Sequence, residues 1–372
     1  MTLPNPPLWL ILVGFVCALG PLVFFHELGH YLVARMFRIP AEIFSIGFGR
    51  ELIGWTDRQG TRWKVAWLPL GGYVRFVGDM GPASNPGDLD HVPLEMRDRV
   101  FQVRPVWQRF LVVLAGPAAN FLLAILIYAA FFTFFSVPEP SNEIGSVRSH
   151  TAAEAAGLLP GDRILSVAGK ETSDFNDIRT VVETVPDREV AIVFTRDGET
   201  LHRSVKIGAE ELKDVSGKPL RLGFLGVGPE QASVIEAVPM AVAYTGKITV
   251  MMVEGIARLV TGGGSREEVG GPIKIAQIAG QAASLGVFAF ANLLALFSIN
   301  LGFINLLPVP MLDGGHLFFY TVEAVRRRPL SARALDWAFR GGLAVILALL
   351  VFTTINDLGS VGLWDRLQRL IG

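Results

Sequence analysis

Two imidazoles and a carboxylate stand at the end of an uncharged apolar run: His26-Glu27-Leu28-Gly29-His30 follows directly on Leu8 to Phe25. Histidines four residues apart share one face of a helix, so each can offer a ring nitrogen to the same zinc ion. Glu27 falls beside that face, where a carboxylate can serve as a general base. Ionisable side chains at membrane depth cost several kcal/mol, roughly 2.5 to 3.5 on insertion scales, so those that persist usually line a protein interior and act there. The spacing therefore predicts a metal site in a membrane; the competing reading is a set of buried polar residues bonded to neighbouring helices.

A catalytic zinc has three protein ligands and one position left for water. The candidate for the third ligand is Asp313, in Asn305-Leu306-Leu307-Pro308-Val309-Pro310-Met311-Leu312-Asp313-Gly314-Gly315-His316. Pro308 and Pro310 interrupt this helix, and broken helices at membrane depth are tolerated only where the backbone is buried in protein or lines a cavity. His316 is a competing ligand, with a helix-end or surface role as its alternative. Asn305 offers a side-chain donor at similar depth, either for an oxyanion or for a helix-helix hydrogen bond.

The elements that must position these residues are membrane helices. Hydrophobic residues make up 51% of the 372, charged residues only 18%, and the mean hydropathy is +0.44, more apolar than an ordinary soluble domain. Four stretches approach the roughly 20 apolar residues needed to span: Leu8 to Met36, Phe110 to Val137, Val287 to Leu307 and Arg340 to Ile355. No basic residue precedes Arg35, so the first is expected to be retained rather than cleaved as a signal peptide. Eleven Lys and Arg lie between residues 35 and 109, and Arg326, Arg327, Arg328 and Arg333 follow the third span. Both loops should be cytoplasmic, with residues 138 to 286 on the other side and the metal motif near the cytoplasmic end of the first helix. A net charge of -1 gives no pointer to nucleic acid, and the single Cys17 cannot form an internal disulfide.

Between Ile39 and Asp79 the pattern turns strand-like. After the turn signal Asp57-Arg58-Gln59-Gly60, Trp63, Val65 and Trp67 share one face and Arg62 and Lys64 the other, an amphipathic hairpin expected to dip toward the bilayer. A small sheet packing only on itself is the alternative. Gly81 to Asp98 reads as a mobile loop, and His91, His150 and His202 as solvated surface histidines. Gly270 to Ala279 suggests an amphipathic helix on the extracytoplasmic surface.

Glu143 to Ile207 carries a Gly161-Asp162 turn, then a strand, a helix from Asn176 and the alternating Glu189 to Arg196. This segment resembles a PDZ domain. The resemblance implies capture of an extended peptide by strand addition, with the carboxylate-binding loop near Ile144 and Gly145, or else a module that blocks access by bulk alone.

Taken with Ala115-Gly116-Pro117-Ala118-Ala119-Asn120-Phe121 in the second span, these motifs resemble the bacterial site-2 proteases, intramembrane zinc metalloproteases of the regulator-of-sigma-E type. The resemblance implies Zn2+ held by His26, His30 and Asp313, Glu27 as catalytic base, and Asn305 against substrate or oxyanion. It also implies a membrane-reentrant β element around Trp63 with the Ile46-Gly47-Phe48-Gly49 stretch beside it. Implied partners are membrane lipid and single-pass membrane protein substrates, either anti-sigma factors or remnant signal peptides. The best-known members of this subgroup carry two PDZ modules, whereas this sequence has room for one.

The expected fold is a polytopic α-helical membrane protein of four transmembrane helices, with a cytoplasmic membrane-associated β-hairpin and one extracytoplasmic PDZ-like α+β domain. Its expected divisions are 1–38 (first span), 39–107 (hairpin loop), 108–137 (second span), 138–208 (PDZ-like), 209–286 (linker and amphipathic helix), 287–316 (third span), 317–338 (cytoplasmic loop) and 339–372 (fourth span and tail). Trp63, Val65 and Trp67 are expected to clamp an unwound substrate by strand addition near Thr61 to Leu68. A metal transporter or sensor, and a non-catalytic PDZ scaffold, are the other classes the residues allow; Glu27→Gln would leave the function of either intact.

Overall fold

A computed structural model describes residues 6–78, 94–134, 142–213, 219–228, 233–261 and 270–360. The loop containing His91 and the C-terminal tail from 361 lie outside these residues. The chain divides into two compact units, residues 126–244 and residues 5–125 together with 245–372.

In the second unit, α1 (Leu8–Met36) buries one stripe: Gly14, Ala18, Leu22, Val23, His26, Glu27, Tyr31 and Ala34. Steps of three and four keep these residues on one face, small side chains first and chemistry-bearing ones after. Strands β1 (Ala41–Thr56) and β2 (Arg62–Phe76) pair antiparallel, and their register shows that each folds back on itself. Residues 62–65 face 43–46 on one side and 53–56 on the other, while 43–46 also face 72–75. Laid side by side, the segments run 51–56, 62–66, 43–46, 72–76. Gly47, at φ 89°, stands where β1 turns back, a conformation that favours glycine.

Asp57 ties this sheet to α1. Its Oδ2 accepts from Tyr31 Oη (3.1 Å) and Trp63 Nε1 (3.0 Å), and its Oδ1 from the amides of Gln59 (2.8 Å) and Thr61 (2.9 Å). Trp63 stacks on Phe44 at 4.2 Å and edges against Tyr31 at 5.1 Å. At the other end, Leu52, Ile53, Trp55 and Trp67 are all more than half exposed, an apolar rim suited to lipid. Single 3-10 turns at Leu94–Arg99 and Phe101–Val103 lead into α2 (Val106–Phe134), which leaves the second unit at Ile125.

The first unit is α+β. Strands β4 (Arg163–Val167), β5 (Lys170–Glu171), β6 (Glu189–Arg196) and β7 (Glu199–Lys206) form a sheet in the order β5-β4-β6-β7. Strand β3 (Ser146–Val147) pairs with β10 (Val227–Gly228), and β8 (Gly208–Lys213) with β9 (Pro219–Phe224). Helices α3 (Ala152–Ala155) and α4 (Phe175–Glu183) complete it. The core joins Ile144, Leu158, Ile164, Ile178, Ile192, Phe194 and Leu225. The Gly161-Asp162 turn is anchored because the buried Asp162 carboxylate accepts from Arg196 Nε and Nη2, each at 2.7 Å, and from the Leu159 amide at 2.8 Å. The unit extends past residue 208: Leu225 fills its core and β10 closes on β3, contacts that no local pattern announces. His150 and His202 are exposed as expected.

Helix α5 (Val234–Val260) follows, then α6 (Pro272–Ser284), α7 (Val287–Leu306), α8 (Asp313–Arg326) and α9 (Ala332–Ser360). Five helices among the described residues are long and apolar enough to cross a membrane: α1, α2, α5, α7 and α9. Four were expected, with 209–286 as linker and amphipathic helix; α5 carries Glu236, Lys247, Glu254 and Arg258 among its apolar residues. Helix α6 packs on α1. Its Ala279 and Gly280 pack against α1 so closely that a Cβ on Gly14 would sit 2.9 Å from the Ala279 carbonyl oxygen. The buried Asp357 of α9 accepts from the amides of Gly271 (2.9 Å), Ile273 (3.0 Å) and Lys274 (2.9 Å), capping the start of α6.

Candidate metal centre and catalytic site

The third span breaks between α7 and α8, over Leu307 to Leu312, as Pro308 and Pro310 require. Gly314 and Gly315 let the broken segment fold tightly onto the start of α8, and Gly342 lets α9 press against Pro310. Asp313 thereby opens α8 and reaches the α1 histidines. His26 Nε2 lies 3.2 Å from Asp313 Oδ2, His30 Nε2 lies 3.5 Å from the same oxygen, and the two Nε2 atoms are 3.2 Å apart. Tetrahedral zinc with ligand bonds of roughly 2.0 to 2.1 Å sets its ligand atoms about 3.3 Å from one another. The observed triangle matches that spacing.

Two further observations fit a cation. Asp313 Oδ2 is buried with no hydrogen-bond partner, a costly state for an anionic oxygen unless a positive charge faces it. Among the described residues, His26, His30 and Asp313 form the group whose ligand atoms converge within 4.8 Å. His316 is not in that group; it stands one turn on in α8, with its ring 5.3 Å from Phe339 and 6.3 Å from Tyr320, and borders the same cavity.

Helix α2 supports the two histidines from behind. His30 Nδ1 lies 2.9 Å from the Val112 carbonyl, and His26 Nδ1 lies 3.0 Å from the Asn120 side chain. Gly29 meets the Ala115 backbone, and Gly116 lies directly beneath the His30 ring, where a methyl group would have no room. The Gly116 of the second-span motif is thus a seat for the ligand. Sequence reasoning quoted Asn120 without giving it a role and missed the Val112 carbonyl, which no residue type reveals.

Around the triangle is a cavity of about 560 Å³ bordered by Glu27, Asn305, Phe48, Tyr73 and residues 71, 72 and 74. Glu27 is buried beside His26, with the Val74 backbone N–H directed at its carboxylate. Asn305 Nδ2 stands 3.5 Å from His26 Nε2. The expected clamp residues are elsewhere. Trp63 is packed against Phe44 and Tyr31, while Val65 and Trp67 face outward, and none of the three borders the cavity. Residues 62–65 have neighbours on both sides, so they offer no free edge. Among the described residues, the edge beside the cavity that carries no second paired strand is 72–75. Ile144 is buried in the core of the first unit and its amide donates to Asp162; the Gly145 amide donates to Gly228, so both already serve that unit's own frame.

Comparison with known proteins agrees with this geometry. The profile of peptidase family M50 matches residues 14–349. A protein of Agrobacterium fabrum named as a zinc metalloprotease is 42% identical over 94% of this chain and 96% of its own length. Metalloprotease MmpA of Caulobacter vibrioides is 37% identical over 94% and 95%. Among solved structures, the PDZ domain of the SdrC-like protein of Listeria monocytogenes aligns with 23% of this chain and 88% of its own, at 18% identity and a TM-score of 0.18. The chain belongs to peptidase family M50 and is a metalloprotease, with apolar helices that make it a multi-pass membrane protein.

Proposed function

We propose that the protein hydrolyses peptide bonds within transmembrane segments of single-pass membrane proteins, using zinc held by His26, His30 and Asp313. The carrying observation is that the three-donor triangle, the buried Glu27 and the strand edge at 72–75, which no second strand pairs among the described residues, share one cavity. Zinc, when bound there, supplies Lewis acidity that activates a water and polarises a carbonyl. Glu27 takes the proton of the attacking water and delivers it to the leaving amine. Asn305 donates its side-chain N–H to the developing oxyanion, an interaction worth roughly 3 kcal/mol in other hydrolases.

A transmembrane substrate arrives as a helix whose carbonyls are hydrogen-bonded, so attack requires local unwinding. The opened strand gains partners on the 72–75 edge, which replaces the 61–68 clamp expected from the sequence. The exposed rim of Leu52, Ile53, Trp55 and Trp67 dips into lipid. The first unit acts as a PDZ-like module that admits substrates whose outer domain has already been removed. Anti-sigma factors and remnant signal peptides are the substrate classes that fit; nucleic acid is not a partner.

Four helices span. His26 meets Asn120 and His30 meets Val112, so α1 and α2 are antiparallel; Ser298 meets Asn120 and Gly302 meets Pro117, so α2 and α7 are antiparallel as well. Thus α7 starts on the side where α2 ends, and the chain between them crosses an even number of times. At 13 residues, α6 is about 20 Å long, too short to cross. Helix α5 therefore lies along the surface. With the Arg-rich loops inside, the first unit is outside the bacterial cytoplasmic membrane and the metal centre lies near its cytoplasmic face.

The test is cleavage of a reconstituted membrane-spanning substrate by wild type and Glu27→Gln. A fall in cleavage of about a hundredfold or more with zinc content unchanged supports the reading, and cleavage by Glu27→Gln at the wild-type rate refutes it.

A further inference from the structure

The inference concerns Asn120; it deepens the metal reading above and rests on it. His26 turns Nε2 toward the triangle, 3.2 Å from both His30 Nε2 and Asp313 Oδ2. A neutral imidazole that ligates through Nε2 carries its hydrogen on Nδ1 and needs an acceptor there. His30 has one, the Val112 carbonyl at 2.9 Å.

His26 Nδ1 instead meets the Asn120 amide nitrogen at 3.0 Å, which sets two donors against each other in a ligating tautomer. Asn120 Oδ1, meanwhile, is buried with no hydrogen-bond partner, in a residue that is 0% exposed. The two ends of a carboxamide have nearly the same shape, so half a turn about its last bond exchanges them without disturbing the packing. That single rotation replaces the opposed donors by a donor–acceptor pair, and the unpartnered end of the amide becomes its nitrogen instead of its oxygen.

We propose that Asn120 is the positioning residue of His26: its Oδ1 accepts the Nδ1 hydrogen and holds the ring with Nε2 presented to the metal. Ser298 Oγ donates to the Asn120 main-chain carbonyl at 2.7 Å, a contact that packs α7 on α2 without touching the carboxamide. A carboxamide is suited to this place because it accepts without adding charge to a site that already holds the Glu27 and Asp313 carboxylates. Helix α2 then orients both histidines, one through a backbone carbonyl and one through a side chain.

The experiment uses the purified full chain in detergent and reads zinc affinity by chelator competition, together with the visible absorption of the cobalt-substituted protein. Asn120→Leu should weaken zinc binding tenfold or more, the loss usual for such supporting contacts, and alter the cobalt bands. Asn120→Asp, which keeps the acceptor, should stay within about threefold of wild type on the same measure. Ser298→Ala should lower thermal stability and leave zinc affinity unchanged. Wild-type affinity in Asn120→Leu overturns the proposal, as does equal zinc loss in Ser298→Ala, which would assign Asn120 to helix packing alone. Should Asn120→Leu fail to fold, Asn120→Asp decides, because a tenfold loss there overturns it too. A wild type that binds no zinc would refute the metal reading itself, a result distinct from any of these.

Discussion

Glu27 follows His26, is buried and is faced by the Val74 amide, so under the proposed mechanism its loss should affect turnover alone. Glu27→Gln is expected to cut the cleavage rate by about 10² to 10⁴, the range for a general acid-base residue. Gly116→Ala should instead lower zinc affinity, measured by chelator competition, because the added methyl would displace the His30 ring. Asp57 belongs to positioning. Burial tends to raise its carboxyl pKa, but hydrogen bonds from Trp63, Thr61, Gln59 and Tyr31 outweigh this and hold it below the ordinary carboxylate range. Its tether is therefore fully present above the ordinary carboxylate pKa of about 3.9 and is lost as pH falls through the lowered value. Trp63 fluorescence should stay constant from neutral pH down to about 4 and change below it. At this scale the sequence was informative wherever chemistry resides in a side-chain type: His26 and His30 share a face as their spacing implied, and Asp313, a candidate from the broken helix, lies beside them. It said nothing of Val112, whose contribution is a main-chain oxygen, and gave Asn120 no role because its partner lies 94 positions away.

At the scale of elements, the hairpin was legible and its working edge was not. The turn at 57–60 and the alternation of Trp63, Val65 and Trp67 were local patterns, whereas a free edge depends on what pairs on each side. Both 53–56 and 43–46 occupy the sides of 62–65. Val74→Pro removes an edge amide that also faces Glu27, and is expected to reduce cleavage through both losses with zinc content and Trp63 fluorescence preserved. Val65→Pro breaks the interior of the sheet and should change that fluorescence. The packing of α6, expected only as an amphipathic surface helix, was hidden for a related reason: its small residues, Ala279 and Gly280, are contact points for α1, and Asp357 sits 84 positions beyond the amide of Ile273 that it caps. Asp357→Ala should lower the thermal midpoint of the protein by removing three hydrogen bonds to one buried carboxylate, each worth about 1.5 to 3 kcal/mol before relaxation.

At the scale of the whole molecule, five helices among the described residues qualify as spans, and the proposed topology, argued from the antiparallel α1/α2 and α2/α7 pairs, gives α5 no crossing to make. Cysteines placed at Ser233 and Thr261, one on each side of α5, should both react with an impermeant label added from outside; labelling of one and protection of the other would put α5 across the bilayer.

The most direct test compares zinc content and cleavage of a membrane-spanning substrate in wild type, Glu27→Gln and Asp313→Ala. The account predicts one zinc per chain in the first two, little in the third, and cleavage by wild type alone. Full zinc in Asp313→Ala, or turnover in either variant within about tenfold of wild type, would contradict it.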